Sequence, residues 1–196
     1  MSAHDNRVRY FVSKADARDA FLNDVQLHRN LIKHAFDVYG EAFCNFAKAN
    51  YDNVEERILI HDLTKINEEV ESIGQLAFYY RYPMKNLDLE SPRRKYLFQK
   101  SILNHYHMNS NHPEHWLKYH DNTLIAVEME PEAVVEMILD WIAVEWEGGE
   151  RLSTEEYWNE VRTRKLFNNN TIKLVDGLID LYTKFPKPEI DLDKFR

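Results

Sequence analysis

The apolar residues of this chain recur at helical spacing over most of its length. They fall three, four or seven positions apart, as one face of a helix with 3.6 residues per turn requires. Three such stripes are Phe21, Val25, Ile32, Ala35, Tyr39, Ala42 and Phe46; Val134, Met137, Trp141 and Val144; and Ile172, Val175, Leu178, Ile179 and Tyr182. A strand would repeat every second residue instead. The pattern therefore predicts amphipathic helices.

Polar caps, prolines and glycines predict where these helices begin and end. The predicted starts, in chain order, are Lys14 after Ser13, a capping box of Asn53 with Glu56, Asn67 followed by Glu68 and Glu69, Pro92 after Ser91, Pro131, and a second capping box of Ser153 with Glu156. The helix from Asn67 is expected to run to about Tyr82, before Pro83. The helix from Pro131 is expected to reach about Trp146, before Gly148 and Gly149. Residues 108–125 are predicted to be rich in loops.

The composition favours an all-α fold. The chain has 196 residues, enough for one domain with a substantial core, and only 5 Gly and 6 Pro. No internal repeat or linker is visible. We predict a single all-α domain of roughly six to eight helices. Its core would cover about residues 14–185, with a polar lead-in and a short tail.

Charge and cysteine content narrow the classes of partner and compartment. The net charge is −8 and the basic residues form no long run, which argues against a dedicated nucleic-acid binder. Cys44 is the only cysteine, which favours a reducing compartment. No apolar run approaches the roughly 18 residues of a membrane span. We predict a cytoplasmic protein without a membrane partner, whose 13% aromatic content leaves room for a homodimer interface.

A few polar residues interrupt the apolar faces. His28 lies between Val25 and Ile32 on the first stripe, the adjacent His61 and Asp62 follow an inward face, and Asp140 lies within a later stripe. A carboxylate in a protein core is costly unless it is paired or binds a metal. Mixed histidine and aspartate ligands suit Mn²⁺, Fe, Co²⁺, Ni²⁺ or Zn²⁺. These positions predict a metal site carried by helices.

Each of these residues also has an ordinary structural interpretation. A single histidine on an apolar face is usually a hydrogen-bonded core residue. Asp140 can cap or pair with a neighbour, and Lys65 can be a solvated residue at a helix end. The four histidines His105, His107, His112 and His115 can belong to a surface loop. The combination of a His, a His-Asp pair, further His and a final Asp favours the metal site over four separate explanations.

This order of residues resembles the HD superfamily of metal-dependent phosphohydrolases, whose pattern is H…HD…D. The chain is similar, in particular, to a poorly characterised HD-like family found in phages and bacteria. The similar segments are HDLTK at 61–65, His105-Tyr106, Asn109, HPEHW at 112–116 and MILDW at 137–141, within a span of roughly residues 25 to 185. The resemblance implies an HD-domain-like helical bundle. One departure is Asn111, where the family pattern has the first of two adjacent histidines.

The resemblance implies a role for each matching residue. His28, His61, Asp62 and Asp140 would bind a first metal ion, and His105 and His112 are the best candidates for a second ion that Asp62 would bridge. Lys65 would contact the substrate phosphate or protonate the leaving group, and Asp62 and Lys65 together would form the catalytic pair. Glu114 and His115 are candidates for orienting a ligand or contacting substrate, and His107 is a weaker one.

The activity implied is hydrolysis of a nucleotide or a nucleotide-derived phosphoester with one or two divalent ions (Mn, Mg, Co, Ni, Zn or Fe). The partner would be a small phosphorylated substrate, met in the host cytoplasm if the gene belongs to a phage. Two alternatives remain open. The six ligands could instead hold two irons for oxygenase chemistry, as in some HD-type proteins. The protein could also be a non-catalytic, metal-stabilised module that binds a nucleotide or another protein.

Overall fold

A computed structural model describes residues 14–66, 70–79, 92–149 and 151–196 of the chain. The described residues are predominantly helical, which confirms the predicted fold class. The α-helices are α1 (Lys14–Ala47), α2 (Tyr51–Ile60), α3 (Leu63–Ile66), α4 (Val70–Tyr79), α5 (Pro92–Met108), α6 (Pro131–Trp146), α7 (Thr154–Val161) and α8 (Asn169–Lys184). The described residues also form two 3₁₀ helices, Pro113–Trp116 and Leu192–Lys194, and one hairpin of β1 (Leu117–His120) and β2 (Thr123–Ala126).

The chain groups into two compact units. The first unit comprises Met1–Leu27 and Asp62–His105, and the second comprises His28–His61 and Tyr106–Arg196. Helices α1 and α5 contribute residues to each. The prediction of a single domain stays a prediction, and the two units are described separately.

In the first unit, α4 and α5 approach closely at Gly74. A Cβ atom at this position would overlap the side chain of Ser101 and the carbonyl oxygen of Leu97. Only glycine allows such a backbone approach. The contact explains why a residue with low helix propensity lies within α4.

The core of the second unit is built around α6. Its residues from Ala133 to Leu139 are all buried, although an amphipathic helix would bury only one face. Helix α6 contacts α2, α7 and α8. Aromatic rings also pack in this core. Tyr39 of α1 lies edge-on to Tyr182 at a centroid distance of 5.4 Å. A helix buried on most sides explains why polar side chains on α6 need specific partners.

Several predicted boundaries are confirmed. Helix α6 begins at Pro131 and ends at Trp146, and Gly148 and Gly149 follow with positive φ angles of 74° and 82°. Ser153 and Glu156 form both hydrogen bonds of the predicted capping box at α7. The apolar stripe of α8 is also buried, apart from the partly exposed Ile172.

Two local predictions were wrong. The N-cap of α2 is Asn50 rather than Asn53, because the Asn50 side chain accepts a hydrogen bond from the Asn53 backbone N–H at 3.0 Å and the helix starts three residues earlier. The buried stripe of α1 continues through Phe43 and Ala47 rather than through Phe46. Phe43 is buried, whereas Phe46 is 48% exposed and its ring lies against Gly177 of α8.

The hairpin was missed by the prediction that residues 108–125 are rich in loops. Strands β1 and β2 pair antiparallel, and Asp121 and Asn122 between them have φ angles of 46° and 61°. Two residues with positive φ form the turn that suits a tight hairpin, and Asp and Asn tolerate that conformation. The strands lack alternating burial, because most of their residues are exposed. The period-two signal of a strand is therefore absent from their sequence.

Other predictions fall on residues outside the described ranges. These are the Ser13 cap, the helix start at Asn67 to Glu69, the helix end near Tyr82 and Pro83, and the Ser91 cap. Helix α5 does begin at Pro92 as predicted. Within the described ranges, no helix combines the length and the apolar character needed to cross a membrane.

Candidate metal centre

The second unit brings three of the predicted ligands together. His28 comes from α1, His61 directly follows the last residue of α2, and Asp140 comes from α6. One ligand atom of each residue lies within 4.8 Å of the other two. His28 Nε2 is 3.1 Å from Asp140 Oδ1, and the centroids of the two imidazole rings are 5.5 Å apart. His61 and His28 precede Asp140 by 79 and 112 positions in the sequence, yet the fold brings all three side chains together.

These three side chains are largely shielded from solvent. His61 is only 4% exposed, and the side chains of His28 and Asp140 are 12% and 14% exposed. Transferring charged or polar groups to such a place is costly unless their hydrogen-bonding or ligating capacity is used.

Each histidine of this centre is oriented by a glutamate. His28 Nδ1 lies 2.8 Å from Glu147 Oε1, and His61 Nδ1 lies 2.9 Å from Glu136 Oε1. An ionised carboxylate can only accept hydrogen bonds, so each Nδ1 donates its proton. Nε2 is then the nitrogen able to bind a metal, and a carboxylate on the opposite nitrogen is the usual support of a ligating histidine.

Arginines hold this arrangement in place. Arg29 donates from Nε to the carbonyl oxygen of His61 at 2.9 Å and from Nη2 to that of Leu59 at 2.8 Å. Arg57 lies 3.5 Å from Glu136 and 2.9 Å from Glu130. Arg29 thus fixes the backbone that carries His61, and Arg57 offsets the charge of Glu136, the partner of His61.

The environment of Asp140 keeps its carboxylate ionised. Burial alone would raise the pKa of Asp140, but the hydrogen bond with His28 and the charges of His61, His28 and His112 lower this pKa well below its usual range. His28 then has both ring nitrogens facing carboxylate oxygens, at 2.8 and 3.1 Å. This ring must either carry two protons or share a cation with Asp140.

Asn111 occupies the position where the family resemblance predicts a histidine. It is 1% exposed, and its Nδ2 donates to Asp140 Oδ2 at 3.4 Å. His112 is partly buried and lies against the ring of Tyr106, with centroids 4.9 Å apart. Asn111 thus faces the aspartate, although its amide is a weaker metal ligand than imidazole.

The first unit contains a second cluster of ionisable residues. Asp62 has a φ of 59°, in the left-handed region that aspartate tolerates better than most residues. Lys65 donates to Asp62 Oδ2 at 2.7 Å, and His105 Nε2 lies 3.8 Å from Asp62 Oδ1. His105 Nδ1 is 2.5 Å from Oε1 of the fully buried Glu71. Here too a glutamate orients a histidine through Nδ1.

Glu114, His107 and His115 belong to the second unit. Glu114 forms an ion pair with Lys165 at 2.7 Å rather than with a histidine. The exposed His115 donates from Nδ1 to the carbonyl oxygen of the exposed His107 at 2.8 Å. His105 belongs to the first unit and His112 to the second. Their common role at a second ion, and the roles of Asp62 and Lys65 in the reaction, stay predictions.

The glutamates behind the histidines were not identified from the sequence. Glu136 and Glu147 contact His61 and His28 in the second unit, and Glu71 contacts His105 in the first. Glu136 had a visible signal, since it lies in the apolar run of α6 one helical turn before Asp140. Glu71 follows shortly after Glu68 and Glu69, and Glu147 directly precedes Gly148 and Gly149, and no periodicity marks either residue as the partner of a histidine.

Comparisons with known proteins add a family but no activity. No curated protein and no solved structure matches the chain. One family model matches residues 17–181, which is most of the chain and includes both ionisable clusters. The chain therefore belongs to DUF5662, a family of unknown function.

Proposed function

We propose that this protein is a metal-dependent phosphohydrolase acting on a nucleotide or a nucleotide-derived phosphoester. The observation that carries the proposal is the convergence of His28, His61 and Asp140 to within 4.8 Å. These residues match three of the four positions of the H…HD…D pattern of HD phosphohydrolases, and the fourth position, Asp62, belongs to the first unit.

The donor set fits a divalent transition-metal ion. Two imidazoles and one carboxylate are ligands that Mn²⁺, Fe²⁺, Co²⁺, Ni²⁺ and Zn²⁺ accept. Glu147 and Glu136 hold the protons of His28 and His61 on Nδ1, which leaves Nε2 to ligate. A cation would also resolve the close approach of His28 Nε2 to the ionised Asp140, where otherwise a second proton is needed.

When bound, such an ion supplies a Lewis acid that makes water nucleophilic near neutral pH and withdraws charge from a phosphoryl oxygen. The protein's own contribution is positioning and shielding. Three ligands from separate helical segments hold a fixed geometry, and burial of the rings keeps bulk water from competing. The net charge of −8 does not oppose an anionic substrate, because a bound cation dominates the nearby field.

The proposal is tested by a substrate screen. Purified protein is incubated with nucleotides and cyclic nucleotides in the presence of Mn²⁺, Co²⁺ or Mg²⁺, while phosphate release and product mass are followed. Asp140→Asn should abolish turnover. Glu155→Gln, which changes an exposed carboxylate in the first turn of α7, should retain it. Substrate binding without turnover would instead indicate a binding module.

Metal content after aerobic purification separates hydrolysis from oxygenase chemistry. We expect Mn, Mg, Co, Ni or Zn together with phosphate release. Two irons per chain with an oxidised-iron absorption band and no phosphate release would overturn the proposal.

A further inference from the structure

A cavity of about 460 Å³ in the second unit has Asp140 in its wall. This volume is within the range of small-molecule sites. The residues of interest in its lining are Tyr106, Asp140, Trp141, Arg151, Tyr157 and Lys165. Because Asp140 belongs to both the cavity and the metal centre, a molecule in the cavity would contact the residue that also faces the two histidines.

The side chains of Tyr106, Trp141 and Tyr157 form part of the cavity wall. Trp141 packs edge-on against Tyr157, with centroids 5.2 Å apart and planes at 76°. Trp141 also lies nearly parallel to the buried Trp158, with ring centroids 6.0 Å apart. Tyr157 is 36% exposed, so its ring is accessible from the surface. Rings held by other rings provide a rigid surface for a planar ligand, because stacking needs no further ordering of the side chains.

Two cationic side chains line the same cavity. Lys165 Nζ lies 2.7 Å from Glu114 Oε1 and 5.0 Å from the centroid of Tyr106. Arg151 Nη2 lies 2.6 Å from Glu147 Oε2. An ammonium has three N–H donors and a guanidinium has five, so each cation can bind a phosphate oxygen while it keeps its glutamate.

Arg151 is also connected to the metal centre. Glu147 accepts from Arg151 through Oε2 and from His28 Nδ1 through Oε1, and His28 Nε2 faces Asp140. The chain of contacts Arg151, Glu147, His28 and Asp140 therefore runs from the cavity to the ligands. These contacts fix the position of the Arg151 guanidinium relative to Asp140, where a phosphoester would react.

From these contacts we infer that the cavity binds the substrate of the metal centre, and that this substrate is a phosphomonoester bearing a planar aromatic ring, such as a nucleoside monophosphate. The ring lies against Trp141 and Tyr157, and the phosphate lies between Asp140 with its ion and the cations Arg151 and Lys165. The inference rests on the proposed function for the role of Asp140. The ring-binding wall and the two cations stand independently of it.

The competing explanation is that the rings only fill space. In that case the aromatic residues stabilise the fold, and a ligand with a base binds no more tightly than one without. Calorimetric titration of the full chain, without metal and with Mn²⁺, separates the two explanations. The probes are AMP and ribose 5-phosphate, which share the phosphate and sugar and differ in the base. Mass analysis of the mixture afterwards records any turnover.

We expect AMP to bind at least about tenfold more tightly than ribose 5-phosphate, the usual scale of one base stacked on an aromatic side chain. Tyr157→Ala should remove most of this preference, whereas Tyr157→Phe should keep it. Lys165→Met should weaken both probes. The matched control is Lys184→Met, which removes an exposed lysine that is also paired with a carboxylate, Asp180, and which should bind both probes normally.

The outcomes distinguish this inference from the proposed function. Equal affinity for AMP and ribose 5-phosphate, or wild-type binding by both Tyr157→Ala and Lys165→Met, would overturn the inference. Mn²⁺ binding with no AMP binding at millimolar concentration would do the same and leave the metal proposal intact. AMP binding with the expected pattern, but no metal binding, would support the cavity and refute the metal-dependent function. Equal melting temperatures of Tyr157→Ala and Tyr157→Phe confirm that a loss of binding is not a loss of fold.

Discussion

The two units carry histidine clusters that are built alike but balance their charge differently. In each cluster a glutamate accepts the Nδ1 proton of a histidine, and Nε2 faces an aspartate. In the first unit that aspartate, Asp62, also accepts a hydrogen bond from Lys65 at 2.7 Å. In the second unit Asp140 lies among imidazoles and the amide of Asn111. A resident ammonium already offsets Asp62, whereas Asp140 depends on protonated histidine or on an added cation.

The comparison shows that a histidine with buried acidic neighbours is not sufficient evidence for a metal site. Convergence of three or more ligands is a second criterion. His28, His61 and Asp140 meet it within 4.8 Å, and no other such group is found among the described residues. The second unit therefore makes the stronger candidate for a metal site. The roles predicted for Asp62, Lys65 and His105 stay predictions.

The largest effect is expected in the first unit. Glu71→Ala removes the partner of His105 from a fully buried pair, and breaking such a pair usually costs about 3–5 kcal/mol. Urea unfolding should show this loss in the free energy of unfolding. Asp37→Ala, which breaks an exposed pair with Lys33, should cost less than about 1 kcal/mol. If both variants lose equally little, the buried network does not stabilise the first unit.

The single cysteine reports on the second unit alone. Cys44 is 3% exposed, and burial, followed by the charge of Glu132, raises the pKa of its thiol to about 11. The native thiol is therefore protonated at pH 8 and reacts only when the unit opens. Mn²⁺ at a free concentration of about 100 times its Kd should slow reaction with a thiol reagent by about 100-fold. His61→Ala should abolish the slowing, and a persistent effect in that variant would assign the metal to another place.

The glutamates behind the histidines should matter less than the ligands, but measurably. Glu136→Gln keeps the shape of the side chain and weakens its support of His61. Loss of such support typically lowers metal affinity about 10- to 100-fold. Glu155→Gln serves as the control. Titration with Mn²⁺ measures the affinity of both variants while the fold stays unchanged. Equal affinities of Glu136→Gln and Glu155→Gln would contradict a supporting role of Glu136.

The smallest effect is expected at the departure from the family pattern. Asn111→Ala removes a long hydrogen bond of 3.4 Å to Asp140, so metal affinity should fall by less than about tenfold. A loss as large as that of a true ligand would show that the amide of Asn111 binds the ion directly. The same Mn²⁺ titration measures both outcomes.

Periodicity and caps predicted the helices of the second unit well. Pro131, the Ser153 capping box and the stripe of α8 are local signals, and each holds in the fold. His28 and His61 were predicted to point inward because they continue apolar faces, and both lie inside. These features are encoded over a few residues and need no knowledge of the tertiary structure.

The missing parts depend on distant contacts. Nothing local tells Asn50 from Asn53 as the cap of α2, or Phe43 from Phe46 as the buried ring of α1. Glu147 supports His28 from 119 residues away, so no sequence window contains both. The hairpin at 117–126 has exposed strands without alternation, and its two turn residues were its only signal.

The central claim is that His28, His61 and Asp140 hold one metal ion. The most direct measurement is a Co²⁺ titration followed by the visible absorption of the bound ion, in the wild type, Asp140→Asn and His120→Ala. His120 has an exposed side chain in the hairpin and serves as the control. We predict a bound-cobalt spectrum in the wild type and His120→Ala that is lost in Asp140→Asn. An unchanged spectrum and affinity in Asp140→Asn, with the protein folded, would contradict the claim.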